Sequence, residues 1–169
     1  MKNFSFQNKF AHWVWARINH YDHNKYWKRR SIITDPNDKT FFLLKLYYLY
    51  YIKKTDSRHN SSFGTTIGSG AQFATPPVLL HGPNGIIVGH NVKVGKNCTI
   101  MQQVTIEESE DGIIIGDNVF IGAGAKILKN VHIGDNCLIG ANAVVVEDMP
   151  SYSTCVLSKP RIIKRDVHN

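Results

Sequence analysis

The chain holds only three cysteines, Cys98, Cys137 and Cys155, an odd number with no paired spacing. Neither a disulfide framework nor a zinc site is indicated, and a reducing cytoplasm is the expected setting. Long apolar runs are also missing. The strongest one, FFLLKLYYLYYIKK, is interrupted by Lys45 and falls short of the roughly 20 apolar residues that a spanning helix needs. The opening MKNFSFQNKF has no uninterrupted apolar core and no small-residue cleavage site, so it does not read as a signal peptide and export is not expected. Acidic residues are outnumbered by basic ones, 13 to 20, and the net charge of +7 favours an anionic partner: nucleic acid, a phosphate-rich cofactor or an acidic surface. The rest of the composition is ordinary, with 43% hydrophobic and 20% charged residues. The 169 residues leave room for one compact domain and an appendage.

What the sequence does have is a repeat, which dominates its second half. Ile67, Phe73 and Leu79 are spaced by six; so are Val88, Val94, Ile100 and Ile106; so are Ile115, Ile121, Ile127, Ile133, Ile139 and Val145. Four residues after most of these comes a second small or apolar side chain, among them Val92, Cys98, Val104, Ala125, Cys137 and Ala143. Six is too long for strand alternation and does not match a helical turn. Short strands joined by tight corners do fit, with the first and fifth residues of each hexad turned inward and glycine or asparagine at the corners. Three strands per coil make a triangular parallel β-helix, and Cys98 and Cys137 then read as core residues.

The stretches IGDNVFIGAGAKIL, VHIGDNCLIGANAVVVEDMP and VGKNCTIMQQVTI resemble the hexapeptide-repeat acyltransferases. With LLHGPNGIIVG upstream, the likeness is to the serine O-acetyltransferase branch and its polysaccharide O-acetyltransferase relatives, over about residues 63–164. The resemblance implies a left-handed parallel β-helix, mainly β, an exception to the right-handed crossover rule. It also implies a homotrimer and acetyl-CoA as donor, with no metal. The expected layout is a short α-helical region over 1–62, the β-helix over 63–150 and a C-terminal tail over 151–169.

Within this frame the stretch VLLHGPNGIIV is out of step, since a Gly-Pro-Asn-Gly turn after His81 shifts the repeat by three residues. Residues three hexads apart stack on one side of the prism, so His81, Gln102, Ala123 and Ala141 are expected along one edge. A hydroxyl is a poor nucleophile at neutral pH, and a positioned base with a pKa near the operating pH accelerates its attack on a thioester. In serine acetyltransferases the matching histidine is the general base, and the resemblance carries that role to His81; the other reading is a solvated turn histidine. Gln102, Asn84 and Glu108 are the expected substrate contacts. Ala123, Gly124 and Ala141 would let pantetheine approach the backbone, and Lys126, Lys159 and Arg161, with Lys164 and Arg165, are candidates for the phosphates.

The sequence also departs from the family pattern. The aspartate that orients the base in serine acetyltransferases lies fifteen residues before it, where this chain has Thr66; Asp56, Glu107 or Glu108, of the same or of a neighbouring subunit, are candidate substitutes, as is a backbone carbonyl. The second, substrate-contacting histidine falls in a loop that here is the short acidic EESEDG. The usual Gly-Val-Pro-Ala is Leu157-Ser158-Lys159-Pro160.

The first sixty residues lack the repeat. Helices are expected over 10–18 and 24–33, and a third of about eighteen residues capped at Asp35 and ending near Lys54. Its aromatic stripe reads as packed on neighbours or as a peripheral membrane contact flanked by Lys28, Arg29, Arg30, Lys53 and Lys54.

The leading function is a CoA-dependent O-acetyltransferase acting on a sugar hydroxyl of a glycan or polysaccharide precursor. L-serine is the alternative acceptor, and a non-catalytic β-helix scaffold the alternative class. A γ-type carbonic anhydrase would need two zinc histidines five residues apart, and the repeat region has no such pair. No basic-aromatic motif in the repeat region supports nucleic-acid binding.

Overall fold

The computed structural model describes residues 20–108, 110–128 and 130–159, together with Val14, Arg17 and Ile18. Its body is a parallel β-solenoid with three faces. One face stacks Ser62–Phe63, Ile87–Val88, Thr105–Ile106, Lys126–Ile127 and Val144–Val145, here called the first face. The second stacks Thr99–Ile100, Phe120–Ile121, Leu138–Ile139 and Thr154–Cys155. The third stacks Gln72–Phe73, Val92–Val94, Ile113–Ile115 and His132–Ile133. Consecutive strands lie on different faces, and each pairs with the strand one coil away, as Ile100 with Ile121 and Ile121 with Ile139. The hexapeptide pattern fits the left-handed form of this coil.

The hexads pack as their periodicity requires. Val88, Ile106, Ile127 and Val145, Ile100, Ile121 and Ile139, and Val94, Ile115 and Ile133 are all buried, as are the fifth-position residues Val92, Cys98, Val104, Val119, Ala125, Val131, Cys137 and Ala143. Burial also pushes the Cys98 thiol pKa up. Asparagine handles one corner: Asn97, Asn118 and Asn136 adopt φ of 55°, 56° and 57°, a left-handed conformation that asparagine tolerates better than most side chains. Their amides run as a ladder, Asn97 Nδ2 donating to Asn118 Oδ1 and Asn118 Nδ2 to Asn136 Oδ1, both at 3.3 Å.

The start of the coil differs from the simple repeat. Ile67 is not on a rung: Thr65–Thr66 and Ser69–Gly70 form an antiparallel hairpin, and Ile67 and Gly68 occupy its turn. The Gly68 N–H donates to Ile33 O, tying that turn to the helices.

Two helices are described, α1 (His23–Thr34) and α2 (Phe42–His59). The first agrees with the expected 24–33 and is capped by Asp22, whose side chain accepts from Lys25 N–H. The second has the expected length of 18 residues but begins at Phe42 and reaches His59. Asp35 ends α1 instead of opening α2, and the carboxylates of Asp35 and Asp38 accept from Asn37 and Thr40 N–H within the connecting turns. The helix expected over 10–18 lies outside the described residues except at three positions.

The helices meet the coil through a buried polar cluster. Arg30, 3% exposed, donates to Thr65 Oγ1 and to the carbonyls of Phe63 and Ala71. Its guanidinium lies 5.3 Å from the centre of the Trp27 ring and 4.8 Å from that of Phe73. Burial lowers its pKa to about 10, so it keeps its charge at neutral pH. Beside it the Tyr26 hydroxyl donates to Asp56 Oδ1 at 2.6 Å.

Candidate functional site

The insertion after Leu79 forms the turn over residues 80–85. Gly82 N–H donates to Leu79 O, Ile86 N–H to Pro83 O, and Asn84 Nδ2 to His81 O at 2.8 Å. Gly82 and Gly85 take φ of 69° and 67°, which glycine supplies without steric cost. The turn is also anchored from outside the coil, because Gly85 N–H donates to His59 O at the end of α2. His81 is exposed on it.

The column expected for this edge runs through Gln102, Ala123 and Ala141. Val78 bridges to Thr99, which puts Leu79 over Ile100; past the insertion, the pairing of Ile87 with Thr105 counts back to Asn84 over Gln102, with His81 in the turn just before it. The pairing of Ile100, Ile121 and Ile139 carries the column on to Ala123 and Ala141. Backbone bonds stitch the edge from rung to rung: Gln103 N–H to Asn84 O, Gly124 N–H to Gln102 O, and Asn142 N–H to Ala123 O. These groups are therefore not available to a ligand. The N–H groups of Ala123 and Ala141 donate to no backbone carbonyl among the described residues. Gly124, at φ 72°, takes the left-handed corner that Gln103 and Asn142 take on the neighbouring rungs, and a Cβ there would push the Asn142 side-chain amide aside.

The side chains along the edge are polar at one end and small at the other. Gln102 is half-buried, and its Oε1 is closed off from solvent with no hydrogen-bond donor among the described residues. Such an oxygen lacks about one hydrogen bond and costs about 1–3 kcal/mol until a donor arrives. Lys126 lies just past the edge on the first face, where its Nζ donates to Gln103 O at 3.2 Å and to Thr105 Oγ1 at 2.9 Å. Lys159 is exposed; Arg161, Lys164 and Arg165 lie outside the described residues.

Several expected partners are elsewhere. Glu108 is on a different edge, where it faces His90 with Nδ1 3.5 Å from its Oε2. Within one chain it does not join His81. Thr66 is in the hairpin, its hydroxyl donating to Ser69 O. Asp56 is buried under Tyr26. Among the described residues no carboxylate lies within ion-pair distance of the His81 ring. The His90–Glu108 pair went unnoticed in the sequence although its spacing of 18 residues, one full coil, gives it away. It sits by a groove of about 1150 Å³ between α1 and the third face, lined by residues of both charges including Lys28, Lys93, Glu110 and Asp111. His81 is not part of that groove.

The repeat and the fold both find relatives. Residues 112–146 match the family model described as bacterial transferase hexapeptide (six repeats). A search of curated proteins finds no match. Among solved structures, serine acetyltransferase isoform 3 from Entamoeba histolytica, in complex with cysteine, is 30% identical with a TM-score of 0.57, covering 72% of this chain and 44% of that one. Neisseria gonorrhoeae serine acetyltransferase in complex with serine is 31% identical with a TM-score of 0.53, covering 86% and 52%. A serine acetyltransferase in complex with CoA is 30% identical with a TM-score of 0.55, covering 72% and 49%. The chain thus spans about half the length of the serine acetyltransferases it matches. The resemblance read from the sequence holds on both counts: the repeat is that of the hexapeptide transferases, and the fold is shared with solved serine acetyltransferases.

Proposed function

We propose that the chain is a CoA-dependent O-acetyltransferase in which His81 is the general base. The observation that carries this reading is the edge itself, on which an exposed histidine, in a turn whose Asn84 Nδ2 donates to the His81 carbonyl, stands beside the end of a column of Asn84, Gln102, Ala123 and Ala141. A fold shared with a serine acetyltransferase solved with CoA supports acetyl-CoA as the donor. In the reaction the acceptor oxygen attacks the thioester carbonyl carbon as the His81 imidazole takes its proton. The tetrahedral intermediate then collapses with cleavage of the C–S bond, and the imidazolium returns the proton to the departing sulfur. Gln102 Oε1 accepts a hydrogen bond from acceptor or donor, and the unpaired amides of Ala123 and Ala141 are open to the pantetheine carbonyls.

Likeness to serine acetyltransferases, one of them solved with serine, supports L-serine as the acceptor ahead of the sugar hydroxyl favoured from the sequence. Two observations keep the sugar as a second reading: Thr66 where an aspartate is expected, and a short acidic loop without histidine. Each removes one group that would grip a small zwitterion. The test is release of free thiol from acetyl-CoA, with L-serine and with sugar acceptors in parallel. L-serine turnover with kcat/KM of about 10⁴ M⁻¹s⁻¹ or more is expected, falling roughly 10²–10⁴-fold in His81→Ala with the fold retained. Turnover confined to sugars selects the second reading, and wild-type turnover in His81→Ala removes the base.

A further inference from the structure

The first turns of α2 project from the molecule. Four consecutive residues, Phe41, Phe42, Leu43 and Leu44, are 70%, 58%, 63% and 41% exposed, so the start of the helix is open over most of its circumference. Tyr47 and Tyr50 extend the patch by one and two turns at 55% and 61% exposed. Lys45, on the same turn, is buried and held by Asp38 at 3.4 Å. Apolar surface of this extent, collected at one projecting end, marks a contact with something other than water.

Charge decides what that is. Residues 1–60 contain 12 Lys and Arg against 4 Asp, whereas residues 61–169 contain 8 against 9 Asp and Glu. The whole positive excess of the chain thus lies in the region that carries the patch. Lys39 precedes it and Lys53 and Lys54 follow along α2, all exposed, with Lys54 Nζ 5.5 Å from the centre of the Tyr50 ring. A second copy brought onto this face would set two strongly basic regions against each other, and protein interfaces are poor in lysine. Exposed Phe and Leu at a tip, tyrosines behind them and lysines around them match the layout of an element lying in the boundary of an anionic bilayer.

We infer that the projecting end of α2 inserts Phe41, Phe42, Leu43 and Leu44 into the surface of an anionic lipid bilayer, with Lys39, Lys53 and Lys54 against the headgroups. The contact is peripheral, since no helix among the described residues is long and apolar enough to cross a membrane. It does not depend on the proposed acyl transfer.

The test is co-sedimentation of the full chain with vesicles of phosphatidylcholine alone and of phosphatidylcholine containing about one quarter phosphatidylglycerol, in about 0.1 M salt. Binding is expected to the anionic vesicles only and to weaken at least tenfold when salt is raised to about 0.5 M. The double variant Phe42→Ser, Leu43→Ser, checked for fold by circular dichroism, is expected to lose binding at least tenfold, and Lys53→Glu, Lys54→Glu to abolish the preference for anionic lipid. No binding at low salt, or equal binding by Phe42→Ser, Leu43→Ser, overturns the inference. So does a fall in assembly mass by light scattering in that variant, which would assign the patch to a second copy.

Discussion

A carbonyl oxygen shut away from solvent without a donor, as Gln102 Oε1 is, gives a residue two separable effects. In the free protein it is a cost; with a ligand donor in place it becomes a contact. Gln102→Met keeps the shape and removes the orphan, so it is expected to stabilise the fold by about 1 kcal/mol, a rise of about 2–4 °C in Tm. The same variant is expected to raise KM for one of the two substrates, and an unchanged or lower Tm in a melting scan refutes the first half. For the donor end, Ala123→Trp and Ala141→Trp are expected to weaken CoA binding by covering neighbouring amides. Unchanged affinity in both, read by calorimetry, moves CoA off this edge. These residues were legible because a fixed period turns sequence spacing into stacking. Glu108 lies past the next corner, beside His90, and the period says which residues share an edge of one chain, not which edges of neighbouring copies come together.

At the scale of elements, the junction between helices and coil carries a titratable group whose surroundings set its behaviour. Burial raises the Asp56 carboxyl to about 6, outweighing the opposing hydrogen bond from Tyr26 and the charges of Lys53 and Arg30. The folded-state pKa lies above the unfolded value near 3.9, so between about pH 4 and pH 6 the native state binds more protons than the unfolded one. Linkage then requires this group's contribution to stability to fall as pH rises across that window and to level off above it. Asp56→Asn keeps an acceptor for the Tyr26 hydroxyl and removes the titration. The stability difference between wild type and variant, measured by urea unfolding, is expected to shift in the variant's favour from pH 4 to pH 6.5; a difference independent of pH refutes the assignment. None of this junction was readable from the repeat, since Arg30, Asp56 and Thr65 are 26 and 9 residues apart in sequence and converge only on folding. The start of α2 was misread for a related reason. Asp35 and Asp38 have the chemistry of helix caps, yet their carboxylates bond the turn between the helices, a choice fixed by where α1 ends.

For the whole molecule, the outward side chains of the coil are distributed unequally. The first face exposes Ile87 and Val144 at 39% and 48%, and the second exposes Phe120 and Leu138 at 37% and 44%, on paired rungs. These two faces meet at the edge that holds His81, Gln102, Ala123 and Ala141. Val156 and Leu157, 66% and 58% exposed, continue it beyond Gly140 and Ala141. The third face shows mainly Gln72, Lys93 and His132, with Ile114 as its one large exposed apolar residue. A prism with apolar surface on both sides of an open candidate site is built to have that edge covered. Copies packed around a threefold axis, each setting one apolar face against its neighbour, would cover it and could supply the acidic group that His81 lacks among the described residues of its own chain. Light scattering is therefore expected to return three times the 19.1 kDa of one chain at micromolar concentration. Phe120→Asp with Leu138→Asp, both outward-facing and so harmless to the coil interior, is expected to give monomers that keep the β-sheet circular dichroism signal and lose acyl transfer at least tenfold. A wild-type mass of one chain refutes the trimer, and full activity in the monomeric variant refutes a site shared between subunits.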